Sequence, residues 1–143
     1  MTDDADRTRS RQRTTKANAI LWIIQGGLAL TFVGGGLWKL ATPIDELTES
    51  FAWVGDVPAW FVRSTSVLDV LGGLGVILPS LTRIKPNLTV LAALGCAALM
   101  AGAATFHLVR GEVADMPLNV ALIVPALIVA WGRHTKVPIA ATR

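Results

Sequence analysis

The sequence predicts an all-α integral membrane protein, an antiparallel up-down four-helix bundle with a short amphipathic interfacial helix between the first and second spans. Composition is the first reason. Of 143 residues, 52% are hydrophobic and 16% charged, and the mean hydropathy is +0.54, well away from ordinary soluble usage. Segmentation is the second. The apolar residues fall into four runs, 18–40, 58–78, 87–109 and 117–132, each crossing most or all of a hydrocarbon layer of about 30 Å at about 1.5 Å per residue. The third reason is that the polar connections alternate in charge, as the sides of a membrane do.

Residues 1–17, MTDDADRTRSRQRTTKA, lack large apolar side chains, and the reading is a disordered basic tail. Its arginines are explained as an orientation signal without nucleic acid. The run that follows is too long for a cleaved signal peptide.

The first span, NAILWIIQGGLALTFVGGGLWKL, carries Gly27, Thr31 and Gly35 at intervals of four, leading to Lys39. Small residues on one ridge let another helix approach closely in lipid. Lys39 has two readings, snorkelling to the headgroups or facing inward. Gln25 lies deeper and reads as a hydrogen-bonding group between helices.

The connection Thr42 to Val57 is acidic, with Leu47, Phe51 and Val54 at i, i+4 and i+7. That spacing predicts a short helix lying on the membrane surface.

The second span, PAWFVRSTSVLDVLGGLGVIL, holds Asp69 at its midpoint and Arg63 near its start. An Asp at that depth costs roughly 2.5 to 3.5 kcal/mol unless it faces a partner or a wet cavity. Ser66, Asp69 and Gly73 share one helix face, whereas Arg63 lies about 120° round and about 9 Å along the axis from Asp69. An intrahelical salt bridge is therefore disfavoured, and Lys39 or His107 is the better partner. Pro79 and Pro86 bracket the basic turn PSLTRIKP, which is short enough to join only antiparallel neighbours.

In the third span, NLTVLAALGCAALMAGAATFHLV, a small-residue ridge runs through Ala93, Ala97, Ala101 and Thr105, and His107 stands at the far end. Cys96 reads as a small buried hydrophobe. As the one cysteine of the chain, it rules out an internal disulfide and a two-cysteine redox centre. The turn RGEVADMP leads to the shortest span, with Asn119 near its start, Pro125 inside it, and Arg133 and His134 placed to extend it by snorkelling. Residues 135–143 form a short tail.

If the four spans alternate, ten of the thirteen Lys and Arg residues share the side of the two termini. The positive-inside rule then puts the N- and C-termini in the cytoplasm of a multi-pass protein of the bacterial cytoplasmic (inner) membrane. Lys39, Arg63, His107 and Asn119 fall in the outer part of the membrane with Asp69 beneath them, a polar mouth with a carboxylate at its floor. These five are the ligand-site candidates. No catalytic residue, metal-ligand spacing, phosphate loop or dinucleotide fingerprint is present in the sequence.

The first-span ending FVGGGLWKL, the connection FAWVGDVPAW, the stretch FVRSTSVLDVLGGLGVILPSLTRI, and GAATFHLVRGE with the later AWGR resemble the DoxX-like family of four-helix bacterial membrane proteins. The resemblance covers roughly Leu21 to Arg133. It implies that Lys39, Arg63 and the acidic position of the second span recur, that position being usually glutamate and here Asp69. It also implies a membrane subunit or quinone-associated component of a redox or oxidative-stress system, without a redox centre or independent catalytic activity of its own. Quinone would be its cofactor, and the lipid bilayer, a redox partner subunit and a second copy of the chain its partners. The alternatives are a small proton-coupled transporter or exporter using Asp69, and a purely structural interaction protein whose polar residues set helix register.

Overall fold

The computed structural model describes residues 2–142, with side chains from Arg7 onward. In chain order it contains α1 (Thr2–Ala41), α2 (Ile44–Ser50), a 3-10 turn (Ala52–Asp56), α3 (Ala59–Thr82), α4 (Asn87–Arg110), a second 3-10 turn (Val113–Asp115), α5 (Met116–Trp131) and a π turn (Gly132–Lys136). Four of these helices are long and apolar enough to cross a membrane. The chain is a multi-pass membrane protein. Packing runs α1 against α3, α3 against α4, α4 against α5, and α5 back to α1, so the bundle closes on itself.

Burial is distributed as lipid requires. Ile23, Leu30, Leu71, Leu91 and Leu118 are exposed on the outside, while Gln25, Ser66, Asp69, Ser80, Thr89, His107 and Arg133 are buried inside. In water this would invert the hydrophobic effect, whereas in a bilayer the leucines meet acyl chains and the polar groups satisfy one another. The core between the helices is built from Leu28, Phe32, Val76, Ala93, Cys96, Ala97, Ala126, Val129 and Ala130. The four alanines and Cys96 among them let the helices approach closely.

Several boundaries differ from the sequence reading. The polar segment read as a disordered tail continues α1 back to Thr2, with Arg7 to Lys16 exposed. Nucleation is the costly step of helix formation, and the apolar span supplies the nucleus onto which Arg, Gln, Lys and Ala add cheaply. At 40 residues α1 is about 60 Å long, so its first turns project well beyond the bilayer. Pro79 lies within α3, and the turn begins only at Arg83, whose φ of 58° ends the helix.

The small-residue ridge of α1 is also displaced. A Cβ added to Gly27 or Gly35 would meet nothing within 4 Å, whereas one added to Gly36 would lie 2.8 Å from the Ser66 carbonyl oxygen and 2.7 Å from Val70 Cγ2. On α3 a Cβ at Gly73 would lie 3.0 Å from the Val33 backbone nitrogen. Phe32 and Gly36 therefore form the seam, one residue round from the expected ridge. The connection after α1 differs as well: Leu47 and Val54 are turned into the bundle against Val62 rather than toward lipid. Burial of this apolar face against protein makes α2 a cap on one end of the bundle.

Candidate functional site

The polar residues inside the bundle form separate clusters, two at the end opposite the termini and one at the terminal end. In the first, Asp69 projects from the middle of α3 toward α1, where Gly36 leaves no side chain in the way. Lys39, three residues on, lies above that gap, and its Nζ donates to Asp69 Oδ2 at 2.5 Å. The close seam brings the backbones near enough for an aspartate to reach. Both side chains are mostly withdrawn, with 21% and 11% exposure. Lys39 thus faces Asp69 rather than the headgroups.

Arg63 plays a different part in the same cluster. Its Nη1 donates to the carbonyls of Lys39 and Leu40 and its Nη2 to that of Thr42. These are the last carbonyls of α1 and its exit, which have no partner within the helix. A guanidinium there meets both the orphan acceptors and the negative end of the helix dipole. Arg63 therefore caps α1 where Pro43 ends it, and it bonds the carbonyl of the lysine that faces Asp69. Ser66, on the buried face with Asp69, donates to the Val62 carbonyl of its own helix.

His107 belongs to a second cluster. Gly111 adopts φ 74° and ends α4 in a Schellman turn, with Gly111 N–H on the Leu108 carbonyl and Glu112 N–H on that of His107. This turn folds Glu112 back over the imidazole, with His107 Nδ1 2.9 Å from Glu112 Oε2. Arg110 donates to Glu112 Oε1 at 2.8 Å and to Asp56 Oδ2 at 2.5 Å, tying the turn to the connection after α2. Trp53 and Phe106 stand edge-on to His107. The hydrogen bond from His107, reinforced by Arg110, holds the Glu112 carboxyl below the ordinary glutamate value. His107, Glu112 and Asp115 offer ligand-type atoms within 4.8 Å of one another, but both oxygens of Glu112 are already engaged in this salt-bridge cluster. Asn119 joins neither group, since its amide donates to the Asp115 carbonyl. The single mouth expected from the sequence is two clusters with Asn119 apart.

The third cluster lies at the terminal end and is visible in the sequence only in pieces. Gln25 Nε2 donates to the Val76 carbonyl at 2.8 Å and to Ser80 Oγ at 3.1 Å, and Ser80 shares a hydrogen bond with Thr89 Oγ1 at 2.9 Å. Arg133 enters from the π turn, its Nε on Gln25 Oε1 at 2.6 Å and its Nη1 on Asn18 Oδ1 at 2.7 Å and the Val137 carbonyl at 3.3 Å. Its guanidinium lies 5.1 Å from the centroid of Trp22. Far from snorkelling, Arg133 is 4% exposed. The signal for this was present. Arg133 follows Ala126, Val129 and Ala130 at i+7, i+4 and i+3, on the face of α5 that is buried.

The chain belongs to the DoxX-like family, whose model matches residues 23–129. Comparison with curated proteins and with solved structures returned no match. The matched residues contain Lys39, Arg63, Asp69 and His107 but stop short of Arg133.

Proposed function

We propose that this chain is a membrane subunit of a redox or oxidative-stress system, with no redox centre of its own, and that Lys39 and Asp69 hold the head of an isoprenoid quinone. The observation that carries this reading is the Lys39–Asp69 pair, which joins α1 to α3 inside the spans yet keeps part of each side chain accessible. An ammonium donates to a quinone carbonyl, and a carboxylate accepts from the hydroxyl of the reduced ring. A quinone diffuses in the bilayer, and its head would have to reach the pair from the lipid side, through the part of each side chain left accessible. The basic residues at the terminal end support cytoplasmic termini in a bacterial inner membrane.

The test is native mass spectrometry of the chain released in mild detergent with menaquinone or ubiquinone added. The wild type is expected to retain quinone and to carry a partner subunit. Asp69→Asn should lose the quinone, and the matched pair Lys39→Met with Asp69→Leu should lose it while staying folded. Retention of quinone and partner by Asp69→Asn would end this reading.

A further inference from the structure

We infer that the terminal end of the bundle holds a binding site for a phosphate group, centred on Arg133 and independent of the quinone reading. The guanidinium has five N–H donors and a fixed positive charge. Its Nε and Nη1 are engaged by neutral groups, the Gln25 and Asn18 side-chain oxygens and the Val137 carbonyl. Nη2 is shut away from solvent with no acceptor. No ion pair among the described residues involves Arg133.

The chain itself is poorly placed to supply the missing charge. The sequence has no Asp or Glu from Arg7 to Ile44, from Val70 to Gly111, or from Met116 onward. The acids at the start of α1 end at Asp6, about 18 Å along the helix axis from Asn18. Every other acidic residue lies at or beyond the level of Asp69, toward the opposite end. Around Arg133 the charges are instead of one sign, with Lys16, Arg83, Lys85 and Lys136 on the same end.

A buried cation, two free donors on Nη2 and further cations on the same end make an anion site. Phosphate fits better than a spherical anion because one of its oxygens can accept from Nη2 while the others meet further cations of the same end. Depth agrees. Arg133 follows directly on the apolar stretch of α5 and lies over Trp22, a residue type enriched at the headgroup level, and basic recesses between spans are where anionic lipids are recognised. The same chemistry would take inorganic phosphate from the aqueous side.

The experiment is thermal unfolding of the full chain in neutral detergent, followed by tryptophan fluorescence. One arm titrates inorganic phosphate against chloride at constant ionic strength, and the other titrates phosphatidylglycerol against phosphatidylcholine. A saturable rise in Tm is expected in one arm, naming free phosphate or an anionic headgroup as the source, with at least tenfold weaker apparent affinity in Arg133→Gln. Native mass spectrometry of the wild type gives a reading that does not depend on the variant folding, and one retained phosphate-bearing molecule per chain is expected. A bare chain throughout both titrations, or the same Tm response in Arg133→Gln, would overturn the site.

Discussion

Lys39 with Asp69 at one end and Arg133 at the other are both buried charged groups between helices, yet they are solved differently. The first is a neutral pair formed across a seam in which Gly36 brings two backbones into contact. The second is a single charge held by amides, a carbonyl and an aromatic face. Cation–π attraction to Trp22 is worth about 1 to 2 kcal/mol, whereas desolvating one ion costs several. A balanced pair can be complete within the chain. An unbalanced cation leaves the chain one negative charge short at that end, which is the ground for the phosphate site proposed above.

The sharpest way to break this contrast is to unbalance the balanced end. Asp69→Leu strands Lys39 inside the bundle and is expected to destabilise by about 3 to 5 kcal/mol, read from chemical unfolding in detergent micelles. Adding Lys39→Met should recover most of the loss, because removing both charges removes the desolvation cost with them. If the double variant is as unstable as the single one, the pair is not what orders this seam.

A smaller effect tests the backbones behind each cluster. Gly36→Ala places a methyl against the Ser66 carbonyl oxygen, which cannot move without shifting α3, and should cost about 1 to 3 kcal/mol. Gly132→Ala meets the Leu21 side chain rather than backbone, and a side chain yields more readily than a carbonyl, so its cost should be smaller, about 1 kcal/mol. Equal shifts in Tm for the two variants would mean that the α1–α3 seam is no tighter than the contact beside Arg133.

The smallest expected effect is a pH dependence at the His107 cluster. Because Glu112 ionises more easily in the folded chain than in the unfolded one, its contribution to stability is complete above the ordinary glutamate value. That contribution is lost as pH falls through the lowered folded value. Comparing Tm with pH for wild type and Glu112→Gln should show curves that converge at acid pH and separate above it.

The spans are legible in the sequence because apolar runs of that length have few other uses, and the helical wheel sets Arg63 aside as partner of Asp69, leaving Lys39 and His107, between which only packing chooses. The seam is not, because Gly34, Gly35 and Gly36 are chemically alike and only packing chooses among them. Nor is the role of Arg63, because Pro43 marks where α1 stops but only packing shows which side chain reaches the carbonyls left there. Arg133 reads as an interfacial group because arginine at a span end usually reaches for water. The periodicity of α5 contradicts that habit: Arg133 stands one turn beyond Val129 and Ala130, on the face those two residues bury, and that spacing is the better guide.

The Lys39–Asp69 contact also bears on how the chain enters the membrane. During synthesis α1 precedes α3, so a lysine is already waiting at the bilayer edge when the span carrying Asp69 is delivered. Entering alone, α3 would carry its full carboxylate penalty, but docking on α1 as it enters, it arrives with that charge neutralised. The pair thus lowers the cost of placing Asp69 within a span once α1 and α3 are packed together.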